Sequence, residues 1–203
     1  MAYDSQTLTI LVNKLRYDVD RLRQKVAVLH DEKPIGTAGG TAVHDAWTTR
    51  TLNQVSYDPD DLIIALENNE FTLGKGVWGI RAASMFHATQ GTRTRIINVT
   101  DNTVVAYSLS NNIDNQTNIA VGVSVTVEVT RDTKYRIEYY CDTGGTDSLG
   151  KASGIANFSA LLMEGGGGVL LESGAVLALE SGAIGYELYS RCEITRMDHL
   201  KPF

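Results

Sequence analysis

Cysteine and proline are scarce in this chain of 203 residues, with two of the first and three of the second. Two thiols, Cys141 and Cys192, cannot build a disulfide framework, nor fill a four-ligand zinc site by themselves. The four histidines (His30, His44, His87, His199) show no short ligand spacing. No stretch approaches the roughly eighteen uninterrupted apolar residues of a membrane-spanning helix, so no span is expected. Basic residues are in deficit, 18 Lys and Arg against 24 Asp and Glu. A net charge of −6 leaves no surplus for phosphate contacts, and no nucleic-acid partner is expected. Residues 1–9 lack the basic-then-apolar order of a secretory signal.

Catalytic patterns are missing as well. Asp142-Thr143-Gly144 matches the aspartic-protease tripeptide, but it follows a tyrosine-rich strand and runs into Gly145-Thr146-Asp147, a turn. His44-Asp45 has no further ligands nearby. Asp58, Asp60 and Asp61 around Pro59 lack the twelve-residue spacing of a calcium loop and read as an Asp-Pro turn. Gly165 to Gly168 is followed by neither Lys nor Ser/Thr where a phosphate loop needs them. Cys141 and Cys192 fall on apolar strand faces, where buried inert thiols are the expectation. No enzymatic activity and no cofactor are expected.

What the sequence does hold falls into two halves. In the first, Leu8, Val12, Leu15, Val19, Leu22, Val26 and Leu29 alternate steps of four and three, with Val at the a and Leu at the d positions of a heptad. Such a seam predicts a helical rod of about 33 Å. It serves either as a coiled coil between copies or as an amphipathic helix lying on its own domain; the narrow a/d stripe favours the first. The reading thus assigns residues 1–33 to an anchor and coiled-coil helix. Residues 34–46, with Pro34, Gly36, Gly39 and Gly40 and no period, read as a linker.

From Trp47 the period drops to two. Val123, Val125, Val127 and Val129 alternate with Ser124, Thr126 and Glu128, and Tyr135, Ile137, Tyr139 and Cys141 alternate with Arg136, Glu138 and Tyr140. Further strands are predicted at 48–57, 71–73, 77–86, 93–99, 104–109 and 187–196, with one helix possible at 59–66. Turn residues separate them. Many short strands with regular turns predict an antiparallel sandwich or barrel, mainly β, over residues 47–203.

Between residues 161 and 185 a glycine-rich repeat places Glu164, Glu172 and Glu180 eight residues apart, each behind an apolar residue and ahead of glycine or Ser-Gly. These carboxylates are either turn markers facing water or part of a distal contact surface. Three copies about an axis could also offer them to a divalent cation.

The ordered set Trp47-Thr48-x-Arg50-x-Leu52-Asn53, Phe71-Thr72-Leu73, Arg95-Ile96-Ile97-Asn98-Val99-Thr100-Asp101, Tyr135–Cys141 and Glu187-Leu188-Tyr189 with Glu193-Ile194 resembles the TNF-like, complement-globular-head-like jelly rolls of bacteriophage fibre and virion-surface proteins. The resemblance covers about three quarters of the chain. It implies a ten-strand jelly roll that assembles as a homotrimer without enzymatic activity. Two features depart from the pattern: Thr195-Arg196 stands where the family usually has Trp-Lys, and the glycine-rich insertion is extra. The function implied is that of a trimeric short fibre on the virion, made in the host cytoplasm. Its amino-terminal segment would bind other virion proteins, and its knob a host glycan or protein. A capsid decoration protein of the same fold is the nearest alternative, and a soluble carbohydrate- or receptor-binding module the next.

Overall fold

The computed structural model describes residues 9–15, 24–113, 117–153 and 186–197. Residues 9–15 form a short helix, α1. Among the described residues eleven strands follow: β1 (Lys25–Pro34), β2 (Thr48–Thr49), β3 (Gln54–Tyr57), β4 (Ile63–Glu67), β5 (Glu70–Leu73), β6 (Gly76–His87), β7 (Arg93–Asn98), β8 (Thr103–Tyr107), β9 (Asn118–Val129), β10 (Thr133–Tyr140) and β11 (Tyr186–Arg196). Sheet A has the order β3-β1-β11-β6-β9, and sheet B the order β4-β5-β10-β7-β8, with β2 paired to β10. All pairings are antiparallel. Matched partner to partner, the chain is one long hairpin rolled on itself. β1 meets β11 in sheet A, β5 meets β10 in sheet B, β6 meets β9 in A, and β7 meets β8 in B. That alternation between two sheets is a jelly roll.

The alternating sequence explains the layering. Trp78, Ile80 and Ala82 of β6, Val123 and Val129 of β9, Ile194 of β11 and Ala27 and Leu29 of β1 point inward from sheet A. They meet Phe71 and Leu73, Ile96, and Tyr135 and Ile137 of sheet B. Phe71 and Tyr135, opposite each other in the β5–β10 register, stack with ring centroids 5.9 Å apart. The Trp78 indole, 1% exposed, donates to the Gly74 carbonyl at 2.8 Å, which satisfies its one polar atom inside the core. A second, smaller cluster closes one end: Phe86, Val121, Tyr139, Cys141, Leu149 and, from the supposed linker, Ala42.

Three sequence expectations are corrected here. The heptad seam does not run to residue 29. Val26 and Leu29 belong to β1, and Leu29 is fully buried beside Cys192 of β11 in the sheet register. Val26-Ala27-Val28-Leu29 is an unbroken apolar run, and a strand paired on both edges takes it better than a solvated helix does. Val12 and Leu15 are helical; Leu8, Val19 and Leu22 lie outside the described residues.

The boundary between rod and head moves accordingly, since β1 is a central strand of the head. Nor are residues 34–46 a free linker. Gly39 donates to Gly150 O (2.8 Å), Leu149 to Gly40 O (3.0 Å), Ala42 to Ser148 Oγ (2.7 Å), Val43 to Tyr139 Oη (3.1 Å) and Asp45 to Cys141 O (3.0 Å). This strap is laced to the head along most of its length. Lastly, 59–66 is no helix: Asp58 accepts from the amides of Leu62 and Ile63, and the chain enters β4 directly.

Burial fixes the alkaline behaviour. Burial raises the Cys192 and Cys141 thiols above their ordinary 9.0, with Glu193 adding to the first and Asp142 and Asp45 to the second. Burial and nearby carboxylates also push the Tyr189 phenol up to about 12. The folded chain therefore keeps protons that the unfolded chain releases from about pH 9, so unfolding free energy falls as pH rises past that point. Arg50, lowered to about 10 chiefly by burial, acts in the opposite sense only above that value. Denaturant midpoints should decline between pH 8 and 10, and Cys192→Ala should flatten part of that slope. A pH-independent midpoint over this window would contradict the assignment.

Candidate functional site

Two outward faces and one buried lock carry the polar groups that a head of this kind could use. On sheet A the outer face is shallow. Gly79, Arg81 and Ala83 of β6 stand opposite Thr126, Ser124 and Gly122 of β9, and opposite Thr195, Glu193 and Arg191 of β11. Short side chains leave a depression of about 450 Å³, lined in part by Gln24, Gly79, Thr126 and Met197. Arg191 and Glu193 pair at 3.2 Å along one strand. Such a smooth, mixed-charge face suits contact with another protein surface better than capture of a small molecule.

The lock sits where the strap crosses the end of β11. Arg50, between β2 and β3, is 1% exposed, and its Nη2 donates to Leu149 O (2.8 Å) and Tyr189 O (2.9 Å). Asp31, on the inward face of β1 and fully buried, lies 3.8 Å from the same nitrogen. The Tyr189 hydroxyl donates to Thr37 O at 2.6 Å, and Ser153 donates to the buried Glu187 carboxylate. These groups join strap, β1 and β11. Their role is architectural.

The outer face of sheet B is different. Glu138 of β10, buried, accepts from Arg95 Nε of β7 and from Arg136 Nε, both at 2.7 Å, and Arg136 reaches on to Glu70 at 3.5 Å. This ladder runs from β5 to β7. Above it lies Trp47, delivered by the strap just before β2. The Arg95 guanidinium is 4.1 Å from the centre of the Trp47 ring. Tyr107 of β8, opposite Arg95 in the register, meets the indole edge-on at 5.7 Å, and Tyr140 is tilted against it at 5.5 Å. Tyr107 is 53% exposed, and Trp47 and Tyr140 are half-buried. At one border of the rings the Tyr140 hydroxyl lies 3.5 Å from Asp45 Oδ1. Partial burial, Asp142 and Asp45 together hold that phenol above its ordinary value.

No pattern in the sequence joined Trp47, Arg95, Tyr107 and Tyr140, although three of them fall within the quoted motifs. They come from four separate segments, and the β7–β8, β7–β10 and β2–β10 pairings bring them side by side. Of the residues singled out from sequence, Val12 and Leu15 are exposed on α1 together with Ile10 and Leu11. Glu164, Glu172 and Glu180, with the whole of 161–185, lie outside the described residues. Among the described residues no group of three or more His, Cys, Asp and Glu is arranged for a metal ion, and no helix is long and apolar enough to cross a membrane.

The chain is thus a mainly β, two-sheet jelly roll. No family model and no curated protein matches it. Solved structures similar to it include the globular domain of zebrafish complement 1qA protein, at 11% identity and TM-score 0.47, covering 86% of this chain and 98% of that one. Murine APRIL, crystallised at pH 8.5, is 8% identical at TM-score 0.44, covering 86% and 100%. Eiger TNF from S. frugiperda is 8% identical at TM-score 0.45, covering 86% and 92%. No residue role, partner or activity follows for this chain from these likenesses.

Proposed function

We propose that this protein is a non-enzymatic virion-surface head of a bacteriophage, a homotrimer of jelly rolls held together by its amino-terminal helices and turned outward toward the host. The supporting observation is α1. Within residues 9–15 Ile10 is 67% exposed, Leu11 50%, Val12 40% and Leu15 65%. Leu11, Val12 and Leu15, with Leu8 one turn earlier in sequence, follow the i, i+3, i+4, i+7 spacing of a single apolar face. An exposed apolar stripe along a helix calls for a partner, and further copies of the same stripe supply one. The smooth outer face of sheet A gives the heads a second surface on which to meet. The number three and the virion placement rest on the motif order from Trp47 to Ile194.

Sedimentation tests the assembly. The intact chain should run near three times 22.1 kDa. Leu11→Asp with Leu15→Asp should reduce it to single chains, because each buried leucine is worth about 1.5–3 kcal/mol. The far-ultraviolet signature of the sheets should be unchanged. A wild-type mass of one chain, or a double variant of unaltered mass and heat stability, contradicts the proposal. Antibody labelling of intact particles then tests the virion placement: decoration of the particle surface is expected, and unlabelled particles would contradict it.

A further inference from the structure

The aromatic cluster on sheet B is not accounted for by assembly through α1. We infer that Trp47, Tyr107 and Tyr140, with Asp45 and Asp142 at their border, form a binding platform for a neutral saccharide.

The first argument is preorganisation. Trp47 belongs to neither buried cluster, yet it is not loose. Arg95 covers it at 4.1 Å, Tyr107 and Tyr140 brace it at 5.7 and 5.5 Å, and Arg95 is itself fixed by the buried Glu138. A clamp for the strap would need only the indole on the guanidinium. It leaves unexplained why β8 adds a tyrosine, 53% exposed, at the register position that extends the aromatic surface outward. Rings held rigid before a ligand arrives lose little entropy on binding, which is what a shallow site needs.

The second argument is charge. Arg95 and Arg136 are neutralised by Glu138 and Glu70. Asp45 and Asp142 are exposed, both act on the Tyr140 hydroxyl, and neither has a basic partner among the described residues. An anionic ligand would therefore meet two uncompensated carboxylates. A cationic peptide would meet a ring whose cation position Arg95 already occupies. A pyranose suits both halves of the surface: its C–H face lies on aromatic rings, and its hydroxyls donate to carboxylates, which only accept. Two tyrosine rings, each within 6 Å of the Trp47 ring, give a surface of one to two sugar units. A contact this small gives a Kd on the order of millimolar for one head. Linkage of several heads lowers the apparent Kd through avidity.

The test is a printed array of neutral, sialylated and sulfated glycans probed with the full-length protein. Titration of the best soluble neutral hit follows, read through tryptophan fluorescence. Trp78 is buried, so the response reports on Trp47. Retention of neutral glycans is expected, with at least a tenfold loss in Tyr107→Ala and in Asp45→Asn. Tyr107 is exposed at a strand end, so its truncation leaves the fold intact; Trp47→Ala is expected to lose binding altogether.

Retention of no neutral glycan, retention of only anionic ones, or preference for an oligolysine peptide overturns the inference. Undiminished binding by Tyr107→Ala and Trp47→Ala does so as well. The platform lies within one chain. Single-chain Leu11→Asp/Leu15→Asp protein should therefore bind the soluble hit with the same Kd, and the outcome stands apart from that of the trimer.

Discussion

Replacing Arg50 by methionine should lower the unfolding free energy by about 3–5 kcal/mol, the usual cost of orphaning one member of a buried ion pair. Arg50 and Asp31 are 1% and 0% exposed, so water can take over neither charge. Removal of the guanidinium also leaves the Leu149 and Tyr189 carbonyls without their donor. Lys33 is only a partial substitute: its Nζ lies 3.5 Å from Asp31 Oδ1, beyond good hydrogen-bond range, and it is 25% exposed. The double variant Arg50→Met with Asp31→Leu should recover the part of the loss that comes from the orphaned charge, the two carbonyls still lacking their donor. Urea unfolding at an unchanged m-value is the measurement. A single-variant loss below about 1 kcal/mol would show that the pair does not carry the junction of strap and sheet.

Gly150→Ala is expected to cost about 3 kcal/mol, from strain at positive φ and from overpacking. Gly150 has φ +118°, and a Cβ there would stand 2.3 Å from Tyr189 Cδ1 and 3.2 Å from Met85 Cγ. Tyr189 cannot retreat without giving up its 2.6 Å bond to Thr37 O, and Gly39 opposite is equally tight against Leu149 O. The strap should therefore detach before the sheets melt, and cleavage by a protease within 35–46 should appear at denaturant concentrations that leave the sheet signal intact. Gly145→Ala is the control, since nothing lies within 4 Å of its added methyl group, and it should shift the midpoint little. Equal effects at the two positions would refute the packing argument.

Where one face of a strand is buried, as in Val123 to Val129 or Tyr135 to Cys141, alternation in the sequence located the strand. β1 escaped because Val26 and Leu29 satisfy a period of 3.5 as well as they satisfy an apolar strand run, and the deciding partner, β11, lies some 160 residues away in sequence. The strap escaped for a related reason. Its Gly, Thr and Ala are those of a flexible connection, and the groups that hold it (Tyr139 Oη, Ser148 Oγ, Tyr189 Oη) are 96 to 152 positions distant. Asp31 is a charge on the inward face of a strand, which no local pattern announces; only Arg50, from another segment, makes it tolerable. Trp47, Arg95 and Tyr140 were legible as motif residues, but Tyr107 was not, nor was the surface they share, because surface is made by register.

The pairing of β1 with β11 also gives the molecule two unlike poles. Lys25 sits across from Arg196, and Pro34 across from Tyr186, about 30 Å further on at strand rise. A support gripping the residues before Lys25 thus holds the pole from which the residues after Arg196 also depart. The roots of 154–185, Ser153 and Glu187, are tied together by a hydrogen bond at the other pole. A tag fused after Arg196 would crowd the support, whereas foreign sequence spliced between those roots would be carried at the free end.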